Sequence, residues 1–340
     1  MMQMPLSHVA GRRMSDAQDW RLRKSECSVT DFARGFARCF GAVALLASLF
    51  AIATTAEADD NFPAELVQFV TAKGNPVFTG AGEGHWDVKI RERGWILKEG
   101  DAWHLWYTGY DGTRAGIKQL GYAISADGIQ WKRHSQNPLV KDHWVEDMMV
   151  VKVGDTYWMF AEGVNDRAQL LTSKDRIQWT RRGTLKIRRK DGEPISEGPY
   201  GTPTAWHENG TWWLFYERGD QGVWAAKATS EDLLNWQNVQ DDPVLLPEPG
   251  KFDGKLVAMN QIVKVNGRYY AYYHGSAGDT TPALWAAGVA TSTDLIHWTK
   301  FSGNPLRPVS ENKSSGIVVP VEKGYRFYTL HSQVDVHLPQ

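Results

Sequence analysis

From residue 95 to the C-terminus, short apolar runs alternate with turns built on Gly, Asp or Asn, and the same double run recurs five times. The copies read GWILKEGDAWHLWYTG, MMVVKVGDTYWMFAEG, PTAWHENGTWWLFYER, NQIVKVNGRYYAYYHG and GIVVPVEKGYRFYTLHS. Each first half is rich in β-branched residues and each second half in aromatics, with a turn residue between them, which predicts a β-hairpin. No stretch of comparable length in this region has the 3.6-residue period of an amphipathic helix, so the pattern predicts an all-β chain.

A second phrase follows four of the hairpins: SADGIQW, SKDRIQW, SEDLLNW and STDLIHW. Its tryptophans, Trp131, Trp179, Trp236 and Trp298, are spaced by 48, 57 and 62 residues, a period that points to propeller blades. Ser and Asp are expected to cap the turn by accepting from backbone N–H groups, and Trp to fill the space between neighbouring blades. Six residues beyond three of these tryptophans stand Asn137-Pro138, Asp242-Pro243 and Asn304-Pro305. The fifth hairpin has no such phrase behind it, but Asn75-Pro76 lies six residues after Phe69 near the other end of the chain. The segment LVQFVTAKGNPVF is therefore expected to supply the outer strand of the last blade. The predicted fold is a five-bladed β-propeller closed by an N-terminal strand in its last blade, which leaves no unsealed sheet edge.

Composition changes the picture mainly at the N-terminus. Residues 40–54, FGAVALLASLFAIAT, are uncharged and apolar, preceded by Arg34 and Arg38 and followed by Ala56-Glu57-Ala58. That is the layout of a secretory signal with a long basic region, and the apolar run is shorter than the roughly 20 residues that span a bilayer. Residues 1–58 are read as the signal and 59–340 as a single propeller domain, periplasmic or extracellular, with no membrane contact after cleavage and monomeric. Both cysteines, Cys27 and Cys39, precede the expected cut, which removes thiol chemistry from the mature chain. A formal net charge of -1 gives no basic surplus for nucleic acid.

Aligned by their turns, the hairpins bring specific side chains to one end of the barrel-like centre. The inner strands begin at Glu92 or Arg93, Asp147, Thr202, and Met259 or Asn260; the returning strands end at Thr108, Glu162, Glu217, His274 and His331. Carboxylates and imidazoles gather at one mouth of the central channel, while the opposite strand ends carry ordinary turn residues. Trp86, Trp144 and Trp224 fall in loops between the repeats, where a ring is free to stack on a sugar or to fill core.

The five-unit pattern, with WHLWYTGYDG, LGYAISADGIQW, NPLV and VEDMMVVKVGDTYWMFAEG, resembles the five-bladed propeller glycoside hydrolases of families 43, 32, 62, 68 and 117 over nearly all of the chain after residue 64. The resemblance implies a carbohydrate substrate and a base or nucleophile, an acid and a third, orienting carboxylate from the first three blades. Asp147 matches the orienting, charge-stabilising carboxylate. The Asp-Pro of blade one is absent here, leaving Glu92, which is favoured, or Asp87 as base or nucleophile. Glu197, in the Glu-Gly-Pro of residues 197–199, and Glu217, in FYERGD, compete for the acid. The remaining mouth residues, Glu162, Thr202, Asn260, His274 and His331, with Trp86 and Trp144, are expected to bind substrate. The implied activity is a secreted glycoside hydrolase that requires no cofactor, with room for a structural calcium ion in the channel. Two alternatives stay open: glycosyl transfer to a sugar or to phosphate, and a carbohydrate-binding propeller without turnover.

Overall fold

The computed structural model describes residues 61–195, 200–218 and 222–340, in which the chain forms five β-sheets. The segment read as a secretory signal lies outside the described residues. A single helical turn, α1 (Ala64–Val67), leads into β1 (Phe69–Thr71). Blade one contains β2 (Lys89–Ile90), β3 (Trp95–Glu99), β4 (Ala102–Tyr110), β5 (Gln119–Ser125) and β6 (Lys132–Arg133). Blade two contains β7 (Glu146–Val153), β8 (Thr156–Glu162), β9 (Ala168–Ser173) and β10 (Thr180–Thr184). The chain then crosses to the outer edge of blade three as β11 (Lys186–Arg188) before that blade's own β12 (Gly201–Glu208), β13 (Thr211–Glu217), β14 (Val223–Ala228) and β15 (Asn235–Asn238). Blade four is β16 (Leu256–Val265), β17 (Arg268–Ser276), β18 (Ala286–Ser292) and β19 (Thr299–Lys300). Blade five is β20 (Gly316–Pro320), β21 (Tyr325–Leu330) and β22 (Val334–Pro339), completed by β1.

The innermost strands touch in a closed cycle, β3 to β7 to β12 to β16 to β20 and back to β3, which makes the five sheets a propeller. The ring is sealed as the sequence predicts: Phe69 pairs with Pro339, Val70 with Leu338 and Thr71 with His337. The seal is shorter than the apolar run that announced it. Pro63, held at φ −53°, caps a helical turn that points Leu66 inward, and Phe62, Leu66 and Phe69 join Tyr270, Tyr272 and Phe327 in one buried cluster.

The repeated Ser-x-Asp phrase works as a turn clamp. In blade one, Asp127 Oδ1 accepts from the backbone N–H groups of Ile129 and Gln130 at 2.8 Å each, and Ser125 Oγ accepts from Asp127 and Gly128. Blades two and four repeat the arrangement with Ser173–Asp175 and Ser292–Asp294. The tryptophans bridge blades in register: Trp179 meets Trp106, Trp236 meets Phe160 and Trp298 meets Phe215, all edge-on at 6.0–6.2 Å between ring centres. Each partner is the same position of the preceding blade's second strand. The Asn-Pro signal is explained too. Asn75, Asn137 and Asn304 each exchange two hydrogen bonds with the backbone of one residue, Val336, Tyr122 and Val289 respectively, so the side chain imitates a neighbouring strand. Trp224 is not in a loop: it lies in β14 opposite Tyr216, because only residues 218–222 separate β13 from β14, against 111–118 between β4 and β5.

Candidate active site at the channel mouth

Every inner strand enters through an irregularity at the same place. Arg93, Asp147, Thr202, Met259 and Ser315 stand two residues before the positions paired with Trp106, Phe160, Phe215, Tyr272 and Tyr328. Four of the five adopt a left-handed backbone, with φ of 54° at Arg93, 47° at Asp147, 49° at Thr202 and 53° at Ser315. Left-handed non-glycine residues are unfavourable and persist where surrounding structure enforces them, as at functional sites. In blades two, three and four the strand pairing slips here, between Glu146 and Met149, Gly201 and Thr204, and Met259 and Gln261. The bulge re-aims the side chains it carries.

Arg93 holds the group together. It is fully buried, and its guanidinium donates to the carbonyl of Asp147, to the carbonyl of Pro203 at 2.9 Å and to Thr204 Oγ1 at 2.7 Å, thereby tying blade one to blades two and three. Burial lowers its pKa to about 10 against the pull of Asp147, Glu162 and Glu217, which are therefore its electrostatic neighbours. The equivalent ends of the returning strands are Thr108, Glu162, Glu217, His274 and Leu330; His331 lies one residue further on, because the turn glycine of the fifth hairpin, Gly324, stands one residue later than Gly210 and Gly267 do in theirs and shifts any count made from the turn.

The three acids are pushed towards their neutral forms. Burial raises Asp147 well above the usual carboxyl range, with Glu162, Glu92 and Glu146 adding repulsion. Burial likewise takes Glu162 to about 8, opposed by the bond it accepts from the Thr202 backbone N–H, and Glu217 to about 7, with Asp166 adding to both. Asp147 Oδ1 is enclosed and makes no hydrogen bond among the described residues. Glu217 folds back over Gly201, the residue it pairs with; a Cβ at Gly201 would lie 2.6 Å from Glu217 Oε1, so any larger residue there would displace the carboxyl.

A second group lies on the blade-one side of Asp147. Glu146 accepts from Arg91 and from the Trp144 indole N–H at 2.7 Å, and Arg91 also pairs with Glu92 at 2.9 Å. Glu92 stands 3.6 Å from His331, whose Nδ1 meets Ser314 Oγ at 2.7 Å. On the far side, His274 Nδ1 meets Asn260 Oδ1 at 2.7 Å, and burial depresses this imidazole to about 3. Glu92, Asp147, Glu162, Thr202, Glu217, Asn260, His274, His331 and Trp144 thus sit around one mouth.

The structure places Asp87 and Trp86 elsewhere. Asp87 is 1% exposed and accepts from Tyr107 Oη at 3.0 Å and Arg133 Nε at 2.8 Å, while Trp86 stacks on the Tyr107 ring. Blade four repeats the device: Asp253 accepts from Tyr273 Oη at 3.0 Å and from Lys300 at 2.5 Å, and Phe252 stacks on Tyr273. An arrangement built twice, far apart in sequence, is scaffold. Glu197 lies outside the described residues. The register did not reveal Arg91 or Asp166, nor Lys118, whose ammonium sits 4.6 Å from the ring centres of both Tyr110 and Trp144. Asp166 and Lys118 belong to mouth loops that no repeat aligns; Arg91 was visible only as one charge among three in Arg91-Glu92-Arg93. Among the described residues no group of three or more His, Cys, Asp or Glu side chains is set to hold a metal ion.

No protein-family model matches the chain. It is 26% identical over 239 residues to a 1,2-beta-oligomannan phosphorylase of Thermoanaerobacter sp. (strain X514), covering 65% of this chain and 76% of that protein. Among solved structures it is similar to a glycosyl hydrolase from Bacteroides ovatus, with a TM-score of 0.65 at 18% identity over 79% of this chain and 92% of the other. It is also similar to a beta-1,2-mannobiose phosphorylase from Listeria innocua in complex with beta-1,2-mannobiose, with a TM-score of 0.62 at 16% identity over 80% and 97%. The chain therefore has the five-bladed β-propeller fold shared by glycoside hydrolases and glycoside phosphorylases.

Proposed function

We propose that the protein cleaves glycosidic bonds of oligosaccharides by carboxyl acid–base catalysis at this mouth, with water as acceptor. The observation that carries the reading is the convergence of Asp147, Glu162 and Glu217 around the buried Arg93. Burial holds the Asp147 carboxyl towards its neutral form, which is fitted to give a proton rather than to stabilise positive charge, so Asp147 is read as the acid. Its proton goes to the glycosidic oxygen as the bond from that oxygen to the anomeric carbon breaks. Water forms the new bond at that carbon, and Glu217, in its ionised fraction, takes the water proton. Glu162, held by the Thr202 backbone N–H, and the His274–Asn260 pair are read as the groups that bind sugar hydroxyls.

Phosphate as acceptor is the second reading, favoured by similarity to the Thermoanaerobacter phosphorylase. Water leads because the two arginines nearest the acids are engaged: Arg91 by Glu92 and Glu146, Arg93 by two carbonyls and Thr204. Incubation with β-1,2-linked mannooligosaccharides, with and without inorganic phosphate, separates the readings: free reducing sugar in both arms supports hydrolysis, and glycosyl phosphate formed only with phosphate supports phosphorolysis. The apolar run at 40–54 and Ala56-Glu57-Ala58 support an exported protein working in the periplasm or outside the cell.

A further inference from the structure

A concentration of positive charge lies at the crossover between blades two and three, from which two hollows that share Arg167 and Thr184 lead to Trp144. Residues 180–190, TRRGTLKIRRK, hold six cations and no acid in a chain whose net charge is -1. This segment is the crossover from β10 to β11, between blades two and three. In β11, Ile187 is buried while Lys186 and Arg188 are both exposed on the other face. Neither makes a salt bridge among the described residues, Lys186 having Asp232 within electrostatic reach, and Arg188 donates from one nitrogen only, to the Gly192 carbonyl at 3.0 Å.

These two cations border a hollow of about 320 Å³ whose floor includes Leu185, Ile187 and Tyr200 and whose rim includes Arg167. Tyr200 immediately precedes Gly201, so the inner end of the hollow abuts the strand start that faces Glu217. A second hollow of about 350 Å³ shares Arg167 and Thr184 with the first and continues to Trp144, the residue bonded to Glu146. These two hollows form a groove that, among the described residues, carries cations and no acid.

We infer that this groove is a subsite for an anionic sugar, and that the substrate is an oligosaccharide bearing carboxylates on units beyond the bond that is cut. The inference rests on the glycosidase reading of the mouth. The apolar floor with Tyr200 suits the face of a pyranose ring, and Lys186 with the fork of Arg188 suits a carboxylate at its edge. At the mouth itself Arg91 and Arg93 are already engaged and a carboxylate would meet Glu92 and Glu146, so the charge of the ligand is placed outward, where the cations are.

The test uses the full propeller with Asp147→Asn, to prevent turnover, and calorimetric titration with hexasaccharides of galacturonate, glucuronate and mannuronate, each beside its methyl ester. At least one acid should bind about tenfold more tightly than its ester at low salt, with the difference shrinking as salt rises. Lys186→Gln with Arg188→Gln should abolish that preference and leave ester binding unchanged, and Lys186→Glu should invert it. In the wild-type protein the same double change should raise KM on the acid and spare kcat. Equal binding of every acid and ester overturns the inference, as does a preference that survives the double change. Inorganic phosphate binding that is lost in the double variant, with no preference for any acid, also overturns it and assigns the cations to a free anion. Tight, charge-dependent binding without cleavage by the wild type would instead retain the subsite and refute the glycosidase reading.

Discussion

The backbone N–H of Thr202, at the head of the inner strand of blade three, donates to the carboxyl of Glu162 at the end of the second strand of blade two. One bond therefore joins two blades and fixes the orientation of a mouth acid. Glu162→Ala leaves a buried N–H without an acceptor and should cost about 1–3 kcal/mol. Glu162→Gln keeps the acceptor and should cost well under half as much. Urea titration of both variants checks the difference.

Asp87 and Asp253 give a second prediction. Each is a buried carboxylate held by a tyrosine and a cation, Arg133 in blade one and Lys300 in blade four. Removing one partner of a buried pair typically costs about 3–5 kcal/mol. Asp87→Asn and Asp253→Asn should both lower the melting temperature, and kcat on any accepted substrate should survive in both. A loss of kcat confined to Asp87→Asn, in protein that remains folded, would return Asp87 to the reacting centre.

The raised acids make stability depend on pH with a definite sign. Glu162 and Glu217 titrate at about 8 and 7 in the folded protein, above their value in the unfolded chain. The native state thus holds protons that the unfolded chain has released, and their contribution is complete below about pH 4 and is lost as pH rises to about 8. Buried His104, His274 and His337, depressed to about 4, 3 and 4, act in the opposite sense over the same range, so the acids are read from a difference: unfolding free energy measured between pH 5 and 8 should rise more, or fall less, with pH in Glu217→Gln than in wild type. Identical pH profiles in the two proteins would contradict the assignment.

Trp236, fully buried against Phe160, tests the repeat phrase. Trp236→Ala should cost about 3–5 kcal/mol. The same change at half-buried Trp131 should cost less. Denaturant midpoints of the two variants give the comparison.

The repeats made the ring legible because each element has a local cause: the Ser-x-Asp clamp, the Asn that imitates a strand, and a Trp at one offset. The seal by β1 followed from Phe69 standing where the repeat tryptophans stand. The register also assembled Asp147, Glu162, Glu217 and His274, because strand ends converge by symmetry. It placed His331 one residue off, where the fifth hairpin departs from the repeat. Asp87 was misplaced for a different reason: its distance in sequence from the inner strand says nothing of the Tyr107–Arg133 pair that holds it. Mouth loops carrying Asp166, Arg167 and Lys118 have no periodicity, so their approach to the acids exists only in three dimensions.

The most direct test of the central claim is turnover by Asp147→Asn, a change that keeps volume and removes the transferable proton. On β-1,2-mannooligosaccharides and on the uronate panel, with and without phosphate, wild type should release product, and the variant should lose about 10²–10⁴-fold in kcat. An aryl glycoside with a good leaving group, which needs little protonation, should recover much of that loss. Wild-type rates in a folded Asp147→Asn protein, or no turnover by wild type on any of these substrates, would contradict the account.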